Sequence, residues 1–159
     1  MTIKEFLAEY DNELRPLRNL VQKTEGTDLN WRPRVDMMST GQVIYHITEG
    51  IAEGLRCLLT GNWPFTAETM LPTVDQIKSV VSVKEGLAAL EKDRTETEQV
   101  LQELSDQEFA SKYVETPWGY NGNMWRISLF FLEHMKMHKM QLFLYLRIQG
   151  LPISTMDLY

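Results

Sequence analysis

Four stretches of this chain repeat their apolar residues every three or four positions, and three of those stretches start on a side chain suited to closing the open end of a helix. The first carries Ile3, Phe6, Leu7, Tyr10, Leu14, Leu17, Leu20 and Val21, which keeps one face of a helix apolar, and Thr2 with Glu5 fits a capping box in front of it. Pro16 falls inside this pattern and removes an internal hydrogen bond, so a kink is expected within a single helix. The second stretch follows Ser39 and Gln42, another capping box, and runs through Val43, Ile44, Ile47, Ile51, Leu55, Leu58 and Leu59, with Gly61 and Pro64 ending it near Thr60. Ser82 and Glu85 open the third, through Leu87, Leu90, Thr97, Val100, Leu101 and Leu104, with Glu, Lys, Asp and Arg on its outer face toward water. The last is expected from about Asn123 to Gln149, ended by Gly150 and Pro152.

Between these stretches, residues 23–38 are turn-prone, a helical turn or two is expected within 73–81, and Ser105 with Glu108 starts one further turn. Residues 111–123 read as an irregular connector rich in Gly, Asn and Pro. Four long amphipathic helices bury their stripes most readily against one another. The expected fold is therefore all-α, a four-helix bundle of the up-down type with a long connection. At 159 residues, one domain spanning 1–159 accounts for the whole chain.

The greasiest region, Ile127 to Leu146, is interrupted by Glu133, His134, Lys136, His138, Lys139 and Gln141, and so is not a membrane span. The acidic, amphipathic N-terminus has none of the marks of a secretory signal, and a lone cysteine, Cys57, suits a reducing compartment; a cytoplasmic protein is expected. The 16 basic and 22 acidic residues leave a net charge of −6 with no basic run, which argues against nucleic acid as a partner.

Two of the chain's three histidines, His134 and His138, lie four apart on the last helix, only ~40° around its axis, so both imidazoles share one side. That side also holds Ile127, Phe130, Phe131, Gln141, Tyr145 and Ile148 and reads as core-facing. Spacing alone leaves two readings open: a shared metal ion, or two hydrogen-bonded core histidines. The third histidine, His46, lies on the second helix off its hydrophobic stripe, on a flank with Gly50, Gly54 and Cys57 where another helix or a ligand can come close. Two imidazoles from one helix and one from a facing helix form a recurrent three-nitrogen metal site with open positions for water or substrate. Cys57 lies eleven residues on, roughly 16 Å along the axis, too far to bind the same ion, and reads as a small buried hydrophobe.

Glu49, one turn after His46, is a candidate to orient an imidazole or to act as general base, against the commoner reading of a solvated surface carboxylate. Trp118, Tyr120 and Trp125 are candidates to wall a pocket beside the metal, with ordinary packing as the alternative, and Met135, Met137 and Met140 read as packing residues. The side of the last helix away from the histidines, with Trp125, Leu129, Leu132, Phe143 and Leu144, is also apolar. A helix greasy on both sides is central to the fold or half of a subunit interface, and a homodimer is expected.

The stretches LNWRPRVDMMSTGQVIYHITEG and LEHMKMHKMQLFLYLRIQGLP resemble the DinB/YfiT-like superfamily of four-helix-bundle proteins. The first is similar to its W-x-P, Ser-x-Gly-Gln and second-helix His. The second is similar to its His-x-x-x-His-x-x-Gln-Leu with a following Tyr-Leu-Arg and Gly-x-Pro. The resemblance covers nearly the whole chain. It implies His46, His134 and His138 as ligands of a divalent ion, typically nickel or zinc, and a dimer of antiparallel bundles. Known reactions in the family include S-transfer and isomerisation that depend on a thiol cofactor, which implies a small-molecule substrate. The common His-Arg-Gly-Gln is here His138-Lys139-Met140-Gln141, and Met140 in place of Gly bears on close packing or the dimer contact. Three functions stand as expectations: a metal-dependent hydrolase or thiol-dependent S-transferase, a metal- or small-molecule-binding stress protein without turnover, and a structural helical dimer.

Overall fold

The computed structural model describes residues 1–159. Six α-helices follow in order: α1 (Ile3–Gln22), α2 (Thr40–Thr48), α3 (Ile51–Thr60), α4 (Val83–Leu101), α5 (Asp106–Ser111) and α6 (Met124–Ile148). No helix is long and apolar enough to cross a membrane. The capping boxes at Thr2, Ser39 and Ser105 are formed, and Ser82 caps α4 by accepting from the Glu85 amide. The expected turn within 73–81 is a 3-10 turn at Val74–Gln76. α1 passes through Pro16 as one helix, with Pro16 itself buried.

α1 and the α2–α3 pair each pack against both α4 and α6, which sets four rods around a common core. Contacts give the directions. Asp11 meets Arg94 and Arg18 meets Glu91, so α1 and α4 are antiparallel. Ala52 meets Asp93 and Arg56 meets Glu96, so α3 and α4 are parallel, while Thr40 near Gln149 and Gly54 against Phe131 make the α2–α3 pair antiparallel to α6. The long connection after Gly61 carries the chain back along the bundle before α4 begins.

One expected helix is two. The stretch through Ile47 and Ile51 breaks at Glu49 and Gly50, where Glu49 leaves helical geometry with φ −107° and ψ 9°. Glycine weakens a helix there by about 1 kcal/mol relative to alanine, and the new N-terminus of α3 is capped from another helix. Asp93 Oδ1 of α4 accepts from the Ala52 amide at 3.1 Å, and Oδ2 accepts from the Tyr10 hydroxyl of α1 at 2.5 Å. Asp93 is thus buried at 6% exposure and not on the solvent face of α4 as its sequence neighbours suggest.

The faces of α6 also differ from the expectation. Its buried stripe runs Ser128, Leu132, Met135, Lys139, Leu142 and Leu146, and Phe143 is buried beside it. Leu132 and Phe143 therefore belong to the molecule's own core, whereas Ile148, expected inside, is 63% exposed. A helix apolar on three sides does not announce its core face by hydrophobicity, and the stripe it buries includes Lys139. That ammonium is neutralised by Glu13 at 2.7 Å and bonded to the Leu158 carbonyl at 2.9 Å, which ties the C-terminal turn to the bundle. The connector after α5 is more ordered than its composition suggests: Tyr113–Val114 pairs antiparallel with Gly122–Asn123 in a short hairpin directly before α6.

Candidate metal centre

The α2–α3 pair runs antiparallel to α6, and on the α3 side Gly54 admits close approach: a Cβ there would lie 2.7 Å from the Phe131 ring. This pairing brings His46 opposite His134 and His138. His46 Nε2 and His134 Nε2 are 3.0 Å apart. The His138 ring centroid is 4.6 Å from that of His46 and 4.5 Å from that of His134. One nitrogen from each imidazole lies within 4.8 Å of the others. Nitrogens sharing one ion at ~2.0–2.1 Å lie roughly 3–4 Å from each other, so small side-chain shifts bring all three into bonding range. All three residues are half-buried, at the border of the buried stripe of α6 and not inside it.

The donor set has the chemistry of a cation site. Burial and then the nearby His138 hold His46 below the ordinary histidine value, and burial followed by His138 and His46 pushes His134 down to about 4. Near neutral pH both are uncharged imidazoles with lone pairs to share. His138 is oriented by its own helix: Gln141 Oε1 accepts from His138 Nδ1 at 2.8 Å, while Gln141 Nε2 donates to the Tyr145 hydroxyl at 2.9 Å. With Nδ1 carrying the proton, His138 Nε2 is the free ligand atom. Sequence reasoning placed Gln141 on this face without giving it this role. The signal was its position three residues after His138 and four before Tyr145, both neighbour spacings on a helix.

Glu49 does not reach an imidazole. Its carboxylate accepts from the Tyr45 hydroxyl, one turn earlier on α2. Both residues, with His46, line a cleft of about 170 Å³ closed on the far side by Pro72, Gln76, Ile77 and Lys78. The aromatic candidates divide. Trp118 and Tyr120 gather against Phe130, one turn before His134, with Trp63 5.1 Å from Trp118, whereas Trp125 packs against the main core away from this group. Cys57 is buried, and burial raises its thiol above the ordinary value, in keeping with a packing role.

Comparison with known proteins adds the family. Residues 9–142 match the family model described as the DinB superfamily. Among curated proteins none matches. A DinB-like protein from Bacillus cereus aligns over 96% of each chain with 18% identity and a TM-score of 0.71. One from Bacillus subtilis aligns over 94% of each chain with 14% identity and a TM-score of 0.68. At such identities the likeness is one of fold.

Proposed function

The chain belongs to the DinB superfamily, and from that premise we propose that it is a metal-dependent protein in which His46, His134 and His138 hold one divalent ion, nickel or zinc. The observation that carries this reading is the convergence of three half-buried imidazoles from two helices, one of them oriented by Gln141. Three neutral nitrogens satisfy part of a divalent ion's coordination and leave positions for a small molecule. An ion held there supplies Lewis acidity toward a substrate oxygen or thiol. The chain's own groups do the rest. Gln141 keeps His138 in one tautomer, the cleft beside His46 admits the substrate, and Glu49 takes a proton at its carboxylate, with Tyr45 as its hydrogen-bonded relay. The reaction class this suits is hydrolysis or transfer to a thiol cofactor.

The test is elemental analysis of protein purified without an affinity tag, followed by titration with zinc and nickel. One ion per chain, lost in His138→Ala, is the expected result; undiminished binding in that variant removes the assignment. Metal binding without any thiol-dependent or hydrolytic conversion of substrate would leave a sequestering protein as the reading. A bound ion must also raise the melting temperature by mass action, which separates both from a purely structural role.

The same protein is read as a homodimer paired through α6. Met137, Met140, Leu144 and Ile148 form an exposed apolar stripe, 60%, 44%, 50% and 63% accessible. Glu133 and Arg147 lie on the same side of the helix, each seven positions from Met140. An antiparallel pairing about a two-fold axis at Met140 sets each Glu133 against the partner's Arg147, so the stripe is self-complementary in charge. Leu144→Glu should convert the dimer to a monomer in sedimentation velocity, and an unchanged distribution would reject this interface.

A further inference from the structure

The segment Pro72–Val80 is a strap tied firmly to α2. Gln42 is the reason. Its amide oxygen completes the Ser39 capping box, while its Nε2 donates to the carbonyls of Val74 at 2.7 Å and Ile77 at 2.8 Å. Val80 N–H bonds the Gly41 carbonyl at 3.2 Å, and the strap runs so close that a Cβ on Gly41 would meet Ser79 Oγ at 2.3 Å. The backbone that carries Lys78 is therefore held against α2, the helix that presents His46. The Lys78 Nζ stands 5.8 Å from the centroid of the Tyr45 ring.

The cleft between α2 and the strap has His46 on one wall and Lys78 as its one cation. Its carboxylate, Glu49, accepts from the Tyr45 hydroxyl and attracts Lys78, though no ion pair closes between the two charges. The larger groove on the other side of Tyr45 and Glu49, about 460 Å³, contrasts with it. There Arg56 is paired with Glu96 and Glu53, and Lys92 with Glu96, so its charges are satisfied within the protein. The smaller cleft is of the order of the roughly 150 Å³ cavity that holds a benzene ring. Pro72, Ile77 and the Tyr45 ring give it an apolar side, and Glu49, Gln76 and Lys78 line the rest beside His46.

We propose that this cleft binds a small organic carboxylate, its oxyanion on Lys78 and its apolar body against Pro72, Ile77 and Tyr45, which presents the ligand to His46. The proposal rests on the metal-centre reading for the use made of the ligand but not for its binding. Apolar walls select an organic acid over inorganic phosphate, which has no body to bury. With an ion at the three histidines, added positive charge strengthens the preference for an anion. Lys78 is then a specificity-determining residue for the substrate.

The test is titration of benzoate, and of inorganic phosphate in parallel, into the full chain at low ionic strength, metal-free and zinc-loaded, followed by amide NMR shifts. Benzoate should shift residues 45–49 and 72–78, with phosphate at least tenfold weaker. Lys78→Met should weaken benzoate at least tenfold without lowering the melting temperature, since Lys78 is exposed. Glu49→Gln should tighten it, an opposite response that a loosened fold would not give. Equal affinity in Lys78→Met, shifts located elsewhere, or phosphate binding as tightly as benzoate would each overturn the proposal. Zinc uptake without benzoate binding would overturn this pocket alone, and benzoate binding without zinc uptake would overturn the metal reading alone.

Discussion

Replacing Asp93 by Asn should make the protein's stability depend on pH in a way that isolates one buried carboxyl. Asp93 receives the Tyr10 hydroxyl and the Ala52 amide, yet burial dominates and raises its pKa from the ordinary 3.8 to about 6. A carboxyl raised on folding stabilises the native state fully below its unfolded pKa, and that contribution is lost as pH rises through the folded one. The interval from 3.8 to about 6 is worth about 3 kcal/mol at 1.36 kcal/mol per pH unit. Asparagine keeps an acceptor for Ala52 and never ionises. Measured by urea unfolding from pH 4 to 7.5, the wild type should therefore lose about 2.5 kcal/mol of this relative to Asp93→Asn as pH rises. Asp93→Ala should instead be destabilised at every pH by roughly 1–3 kcal/mol for each of the two donors left unpaired. A gap between wild type and Asp93→Asn that stays constant across this window would refute the assigned environment of Asp93.

In the metal-free protein, His134 and His46 are lowered on folding, so their stabilising contribution is present above the unfolded value near 6.5 and is lost as pH falls below it, for His134 toward about 4. His134→Gln should flatten that part of the stability profile in chemical denaturation. Gln141→Leu removes the acceptor that orients His138 and should weaken zinc binding by about 10–100-fold in a competition titration, with little change in the metal-free melting temperature. Gly54→Ala forces a methyl group to within 2.7 Å of the Phe131 ring and should destabilise the protein by about 1–3 kcal/mol in urea unfolding while lowering zinc affinity, because the Phe131 ring or α3 must shift beside His134.

The helices were legible because what starts and ends them is local. Thr2 with Glu5, Ser39 with Gln42 and Ser105 with Glu108 each close a helix end from three residues away, and Gly61 ends α3 in the left-handed conformation at φ 71°. The histidine trio was legible for a different reason: a chain with three histidines, two of them one helical turn apart, offers few ways to combine them. What the pattern could not show was any feature made by partners distant in sequence. The break before α3 depends on Asp93, forty-one residues after Ala52. The wall opposite His46 depends on Gln42 reaching the carbonyls of Val74 and Ile77.

The sequence by itself determined that the chain is a bundle of amphipathic helices with three imidazoles on two of them, because period and caps act over one or two turns. Only the tertiary structure decided which side of α6 is core. Met137, Met140, Leu144 and Ile148 are as apolar as much of what is buried and yet stay exposed, while Lys139 goes inside because Glu13 meets it there. It also decided that the three histidines stand together at the edge of the core, half-buried, with His46 lining a cleft. Burial is a property of the neighbour that covers a residue, and that neighbour is supplied by another part of the chain.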